Sequence, residues 1–147
     1  MIEVIRAGEA QLDALVPLFD GYRVFYKQDS NLKAARSFLA ERLKNEESVI
    51  FMALENGQAV GFTQLYTTFS SVSLEAVFIL NDLYVDTLSR KKGIGELLLE
   101  QAKAFCKDKG YKGLALETAT DNPAQKLYER LGWEKDSHCF HYFWRAR

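Results

Sequence analysis

The sequence predicts an α/β domain built on a mixed sheet. Three observations carry the prediction. Strand-like and helical periodicities interleave in the order β α α β β β α β α β. Asn56-Gly57 joins two β-rich runs as a tight hairpin. A Gly-x-Gly at 93–95 then separates a long apolar strand from an amphipathic helix.

Each element follows from its pattern. Ile2 to Arg6 alternates as the first strand, and Gly8 breaks it. From Glu9 to Asp20 the apolar residues Leu12, Leu15, Val16 and Phe19 recur at helical spacing. The aromatic-rich segment 21–29 reads as a loop or short helical turn. Ser30 is placed to cap a second helix, whose apolar stripe is Leu32, Ala35, Phe38, Leu39 and Leu43. Residues 48–55 and 58–69 are the arms of the Asn-Gly hairpin. Residues 73–86 form a third strand of this meander, with a near-continuous hydrophobicity that predicts burial on both faces. Helix 93–109 turns Ile94, Leu97, Leu98, Ala102 and Phe105 inward, and Gly110 ends it. A strand over 112–119 follows, Asn122-Pro123 opens a further helix, and Gly132 stops it. Residues 133–144 supply one or two final strands. No repeat, linker or low-complexity segment interrupts the order, so a single domain over 1–147 is expected.

Composition narrows the partners. Hydrophobic residues make up 48% and charged residues 27%, ordinary values for a globular domain. A net charge of −1 gives no support for a nucleic-acid partner. No apolar run approaches the roughly 20 residues of a membrane span, so no membrane partner is expected. Charges interrupt the N-terminus at once, which is not a signal-peptide pattern. Cys106 and Cys139 are too few for a disulfide framework, and a cytoplasmic location follows as the expectation. His138 and His141 flank Cys139 without further clustered ligands, so no metal is expected.

Three groups of residues carry possible chemistry. Arg90, Lys91 and Lys92 run into Gly93-Ile94-Gly95 at a helix start, where the backbone N–H groups already carry partial positive charge. Such a stretch is either an anion cradle or a solvated basic turn. On a nearly neutral chain, a cradle suits a small anionic ligand. A dinucleotide fingerprint is excluded because Leu98 stands where a third small residue is required, and a P-loop is excluded for want of Gly-Lys-Ser/Thr. Asn81 and Asp82 interrupt the apolar strand, and a buried polar pair must be hydrogen-bonded or functional. Tyr128 lies beside the helix stripe of Leu127 and Leu131. It is either amphipathic packing or, with a pKa near 10, a proton donor to a developing thiolate.

Taken together, Arg90-Lys91-Lys92-Gly93-Ile94-Gly95 resembles the Q/R-x-x-G-x-G/A signature of the GCN5-related N-acetyltransferases (GNAT). Leu83-Tyr84-Val85 resembles the strand end before it. Asn122, Ala124, Leu127-Tyr128 and Gly132-Trp133 resemble the family's later N…A…LY…GF element. Within the family, ILNDLYV, LYERLGW and FHYFW look closest to polyamine, small-amine and Hpa2-like acetyltransferases.

The resemblance implies a GNAT fold with a splay between the fourth and fifth strands, and acetyl-CoA as co-substrate. Its pyrophosphate would lie on residues 90–95, and its pantetheine arm along Leu83, Tyr84 and Val85. Asn122 and Ala124 belong to the family's cofactor contacts, although Asn122 stands six residues before Tyr128 where seven is usual. A backbone N–H near Leu83 would polarise the thioester carbonyl. Tyr128 would protonate the leaving thiolate. The family's polyamine enzymes commonly carry glutamate where this chain has Asn81, so the base falls to Asp82, a water chain or Glu75. Strand alternation sets Asn81 with Leu83 and Val85, and Asp82 with Tyr84, unless a bulge intervenes. The acceptor pocket would draw on Tyr22, Phe25, Tyr26, Asp29, Tyr66 and Glu75. Those aromatics and carboxylates suit a cationic amine, and core packing explains the aromatics equally well. The implied activity is acetyl transfer to a primary amine of a small molecule. A protein-lysine or N-terminal acetyltransferase and a non-catalytic acetyl-CoA sensor are the alternatives. Family analogy and the aromatic tail together imply a homodimer.

Overall fold

A computed structural model describes all residues from Met1 to Arg147. The chain divides into two compact units, Met1–Glu117 and Thr118–Arg147.

The first unit holds a five-stranded sheet in sequential order: β1 (Ile2–Ala7), β2 (Ser48–Glu55), β3 (Gln58–Ser70), β4 (Glu75–Val85) and β5 (Leu114–Ala115). The first four strands pair antiparallel, and β4 with β5 is parallel. The sheet is therefore mixed, as its sequence predicts. Pairing of β4 with β5 covers only Phe78 opposite Leu114 and Ile79 opposite Ala115. Beyond Ile79, β4 continues to Val85 without a strand on that side, which is the expected splay.

Two helices, α1 (Leu12–Phe25) and α2 (Leu32–Lys44), cover one face of the sheet. Leu15, Val16, Phe19, Ala35 and Leu39 pack there against Ile50, Met52 and Phe62. Helix α3 (Ile94–Lys109) covers the other, where the Phe105 ring meets Phe51 and Phe78.

Several local expectations are corrected. Glu9–Gln11 is a 3-10 turn, and α1 then runs on to Phe25, so Tyr22 and Phe25 continue the first helix rather than forming a separate short turn or loop. Gly21 lies inside that helix at a cost of about 1 kcal/mol relative to alanine. Its role is spatial: a Cβ there would stand 2.8 Å from the Tyr84 hydroxyl of β4. Asn31, not Ser30, caps α2, accepting from the Ala34 N–H at 3.0 Å. Ser30 instead donates to buried Asp20 at 2.6 Å, and the Asn31 N–H donates to the same carboxylate. These bonds pin the α1–α2 connection.

In α3, Leu99 and Cys106 are buried whereas Leu97 is 42% exposed, because the inward stripe runs through 94, 98, 99, 102 and 106. The left-handed Gly110 ends α3 as predicted (φ 71°). Nor is β4 buried throughout, since Asn81 is exposed. The strand over 112–119 shrinks to Leu114–Ala115.

The second unit contains α4 (Ala124–Arg130), opened by Asn122-Pro123 and stopped at Gly132 (φ 92°) as predicted. Residues 133–144 form no strand, which corrects the expected final strands. A strand needs a partner ladder, and the unit to which this segment belongs contains no other strand to provide one.

Gly61 faces the end of β4, and a Cβ there would meet the Tyr84 carbonyl oxygen at 2.9 Å and the Val85 Cα at 3.4 Å. Both atoms are backbone and cannot swing aside. Gly61→Ala is expected to destabilise the protein by about 1–3 kcal/mol, lowering Tm by about 2–4 °C per kcal/mol. Gly113→Ala, with no atom within 4 Å of its Cβ, is the control and should stay within about 0.5 kcal/mol of wild type. Thermal melts of the two variants decide it.

Candidate active site

The register between β3 and β4 creates the site. Gln64 stands opposite Asp82 and Leu65 opposite Leu80, leaving Asn81 as an extra residue. A bulge of this kind breaks strict alternation. Upstream of it, Phe78 points to the α3 face, where it meets Phe105. Downstream, Tyr84 points to the α1 face against Gly21. Asp82 lies with Tyr84 on that second face, beside Tyr22 of α1. Without the bulge, Asp82 would share the face of Phe78.

Asp82 is 2% exposed, and no cation pairs with it. Its carboxylate is held by primary amides. Gln64 Nε2 donates to Oδ2 at 2.6 Å, and Asn81 Nδ2 donates to Oδ1 at 2.7 Å. The Tyr22 hydroxyl lies against the same carboxylate and donates to the Asn81 carbonyl oxygen at 3.1 Å. Burial pushes the Asp82 carboxyl above its ordinary range, while the bonds from Asn81, Gln64 and Tyr22 pull it back in part. Tyr66 is pushed up to about 12, first by burial and then by the nearby Asp82 charge. The Tyr22 phenol is raised for the same two reasons. Both phenols therefore keep their protons near neutrality.

Of the predicted pocket residues, the structure brings Tyr22 and Tyr66 to Asp82, with Tyr26 behind Tyr22 at a ring separation of 5.0 Å. Phe25 packs edge-on to Tyr26. Glu75 is not brought there. It sits at the hairpin end of β4 opposite Ser70, seven residues and so roughly 23 Å along the strand from Asp82. Asp29 contributes its backbone carbonyl, which accepts from Arg23. Sequence reasoning missed Gln64. Its signal was a buried polar residue directly across β3 from Asp82, visible only once the register was known.

Downstream, β4 leads through Leu83, Tyr84 and Val85 into the basic turn. Arg90 is committed to the protein: Nε donates to the Val85 carbonyl at 2.8 Å, and the guanidinium lies 5.6 Å from the Tyr84 ring centre and 5.8 Å from that of Phe25. Lys92 pairs with Glu55 at 2.9 Å, a half-exposed contact worth at most about 1 kcal/mol. Lys91 is exposed and adopts a left-handed φ of 66°. Gly93 is the N-cap of α3, at φ 79°, and space beside it is open: an added Cβ would have no atom within 4 Å. A glycine cap brings no side chain to the first-turn N–H groups, so Ile94 and Gly95 begin the helix with their amides turned outward. That open, amide-lined helix start fits a phosphate group, and the unpaired length of β4 fits an extended arm.

A model of the acetyltransferase (GNAT) family matches residues 12–133. The chain belongs to this family. It is 47% identical over 142 residues to an uncharacterised N-acetyltransferase, YhfO, of Bacillus subtilis, covering 96% of this chain and 95% of that protein. A crystal structure of a probable acetyltransferase matches at 38% identity and TM-score 0.93, over 99% of this chain and 98% of that one. A more distant relative is the D-amino-acid N-acetyltransferase HPA3 of Saccharomyces cerevisiae, 32% identical over 83 residues, 56% of this chain and 52% of that one. This GNAT protein is thus an acetyl-CoA-dependent N-acetyltransferase. No helix in it is long and apolar enough to cross a membrane.

The family's later motif lies in the second unit. Asn122 Oδ1 accepts from the Ala124 N–H at 2.9 Å and so serves the start of α4. The Tyr128 ring packs on Trp133, with centres 5.9 Å apart, and the Trp133 backbone N–H donates to the Tyr128 carbonyl.

Proposed function

We propose that this acetyltransferase acts on a primary amine of a small molecule, through one domain spanning both units. The observation that carries the reading is the buried carboxylate of Asp82 among tyrosines. An alkyl ammonium is protonated at neutral pH and must lose a proton before it can attack, and such a site attracts the cation and accepts that proton. The nearly neutral chain favours a small amine over a basic protein tail. The family match across 12–133 supports treating the two units as one catalytic domain.

Residues 90–95 and the α3 N-terminus would hold the pyrophosphate, with Leu83, Tyr84 and Val85 beside the pantetheine arm. Asn122 and Ala124 stand for the family's further cofactor contacts. Bound there, acetyl-CoA supplies an acyl group activated as a thioester. A backbone N–H near Leu83 donates to the carbonyl oxygen as charge develops on it. Asp82 takes the proton released by the amine, directly or through water. Asn81, an amide, holds no exchangeable charge and serves by orienting Asp82. Tyr128 gives its proton to the departing sulfur. The C–N bond forms as the C–S bond breaks. The nitrogen sheds two protons, one from the ammonium to Asp82 and one to water after attack. The sulfur gains one from Tyr128, which is reprotonated from solvent. A thiol-release screen across polyamines, amino acids and lysine peptides tests the acceptor class. Turnover confined to lysine peptides would overturn it.

Gly93→Asp puts a carboxylate into the open space at the α3 N-terminus. Acetyl-CoA binding, read by calorimetry on the folded variant, should fall below detection. Unchanged binding would exclude the anion cradle.

Tyr128→Phe keeps the ring against Trp133 and removes only the hydroxyl. General-acid assistance is worth about 10²–10⁴ in rate, so kcat should drop by that factor while acetyl-CoA affinity changes little. A lost ground-state hydrogen bond would instead weaken binding by about 1 kcal/mol. Steady-state kinetics with an amine from the screen separates the two, and turnover within about twofold of wild type would make Tyr128 a packing residue.

The homodimer is also part of this proposal. Phe140, Tyr142, Phe143 and Trp144 are 80–89% exposed, an apolar run that a second copy would cover. Light scattering should give twice the 16.8 kDa chain mass. A monomer at micromolar concentration would refute it.

A further inference from the structure

The Gln64 side chain is 0% exposed, yet only half of its amide is used. Nε2 donates to Asp82 Oδ2 at 2.6 Å, while the buried Oε1 accepts no hydrogen bond from the protein. An acceptor left unmade in the interior is costly. Gln64 is therefore not placed on β3 to satisfy itself. Turning the amide over would bring its oxygen against the carboxylate, so the observed orientation is the one Asp82 requires.

Asn81 completes the arrangement from the other side. The bulge offers its Nδ2 to Asp82 Oδ1 at 2.7 Å, and its carbonyl is fixed by the Tyr22 hydroxyl. Each carboxylate oxygen thus receives one short amide N–H, from two different strands. We propose that Gln64 is a positioning residue for acetyl transfer: with Asn81 it clamps Asp82 in one orientation and holds it in the ionised, proton-accepting form. Asp82 as the acceptor of the amine's proton belongs to the function proposed above; the clamp itself does not depend on it.

The surroundings leave most of this work to the amides. From α1 come Tyr22 and, behind it, Tyr26; from β3 comes Tyr66; on β4 itself Tyr84 shares the face. Burial keeps the Tyr22 and Tyr66 phenols protonated. Arg42 and Glu47 act on Tyr66 rather than on Asp82. No cation faces the carboxylate within unit 1 to hold its charge. Burial raises the Asp82 pKa; the Asn81 and Gln64 amides oppose that rise most, and the Tyr22 hydroxyl adds to them.

The sign of the test follows. Gln64→Met keeps length and volume, removes the N–H donor and also removes the orphaned oxygen. The ionised form of Asp82 loses a partner, so its titration should move to higher pH by about one unit or more. Carbon-13 NMR of the Asp82 carboxyl reads this directly on the full chain, without acceptor or turnover. A Gln64 that only fills the core predicts an unmoved titration, and that result in folded Gln64→Met would overturn the clamp. If that variant fails to fold, Asn81→Ala at the exposed bulge gives the same test through Oδ1, with the same upward shift expected and the same overturning result. With an amine identified by the screen, the acidic limb of kcat/KM should move by the same amount as the NMR titration. An NMR shift without movement of that limb would leave the clamp standing and remove Asp82 from the chemistry, so the two failures are distinguishable.

Discussion

One extra residue in β4 decides what this sheet can do. Asn81 has no partner of its own on β3, and strand alternation slips by one position across it. Upstream, the strand gives Phe78 and Leu80 to the core beneath α3. Downstream, it gives Asp82 and Tyr84 to the α1 face. A regular strand would have turned the carboxylate to the α3 face that Phe78 occupies. Through the bulge it meets Gln64, Tyr22 and the Asn81 amide itself.

The close contacts around that strand follow from the same constraint. Tyr84 reaches α1 at Gly21, where an added Cβ would stand 2.8 Å from its hydroxyl. On the adjoining strand, Gly61 lets the β4 backbone approach where a Cβ would stand 2.9 Å from the Tyr84 carbonyl. Arg90 then returns from the basic turn, donates to the Val85 carbonyl and rests near the Tyr84 and Phe25 rings. Two glycines and one arginine thus fix the last two residues of β4 from helix, neighbouring strand and turn. Such fixing matters because β4 has no strand partner on its other side beyond Ile79.

Much of this was legible in the sequence, and what was not has a common cause. The hairpin at Asn56-Gly57, the Gly93 start of α3 and the stops at Gly110 and Gly132 were readable because glycine and asparagine signal backbone conformation locally. The run of α1 through Gly21 was not. Its helical cost is offset by packing on Tyr84, sixty-odd residues away in sequence, and propensity does not see such a partner. Asp82 was recognisable as an oddity in an apolar strand, whereas Gln64 was one polar residue among several on β3 and gained meaning only from cross-strand register. The final strands expected over 133–144 are absent, because an apolar stretch becomes a strand only against a partner ladder, which the local sequence does not reveal. The basic turn was read as three cations for one anion. Arg90 and Lys92 turn out to be engaged with the Val85 carbonyl and Glu55, which leaves Lys91 and the backbone amides at the open start of α3.

Chain length along β4 also links the two halves of the site. Asp82 stands three residues before Val85, roughly 10 Å along an extended strand, and the turn to the α3 N-terminus begins immediately afterwards. The proposed proton acceptor and the proposed phosphate anchor are therefore held on one continuous piece of backbone. Their spacing is set by strand geometry rather than by the docking of separate loops. An insertion within 83–85 would shift the turn relative to Asp82 by about 3.3 Å per residue and reverse the facing of every side chain between them. A carboxylate on β4 and a glycine-capped helix after it are each common features. Under the proposed function, that rigid spacing would bring the acceptor amine and the thioester together on the same strand.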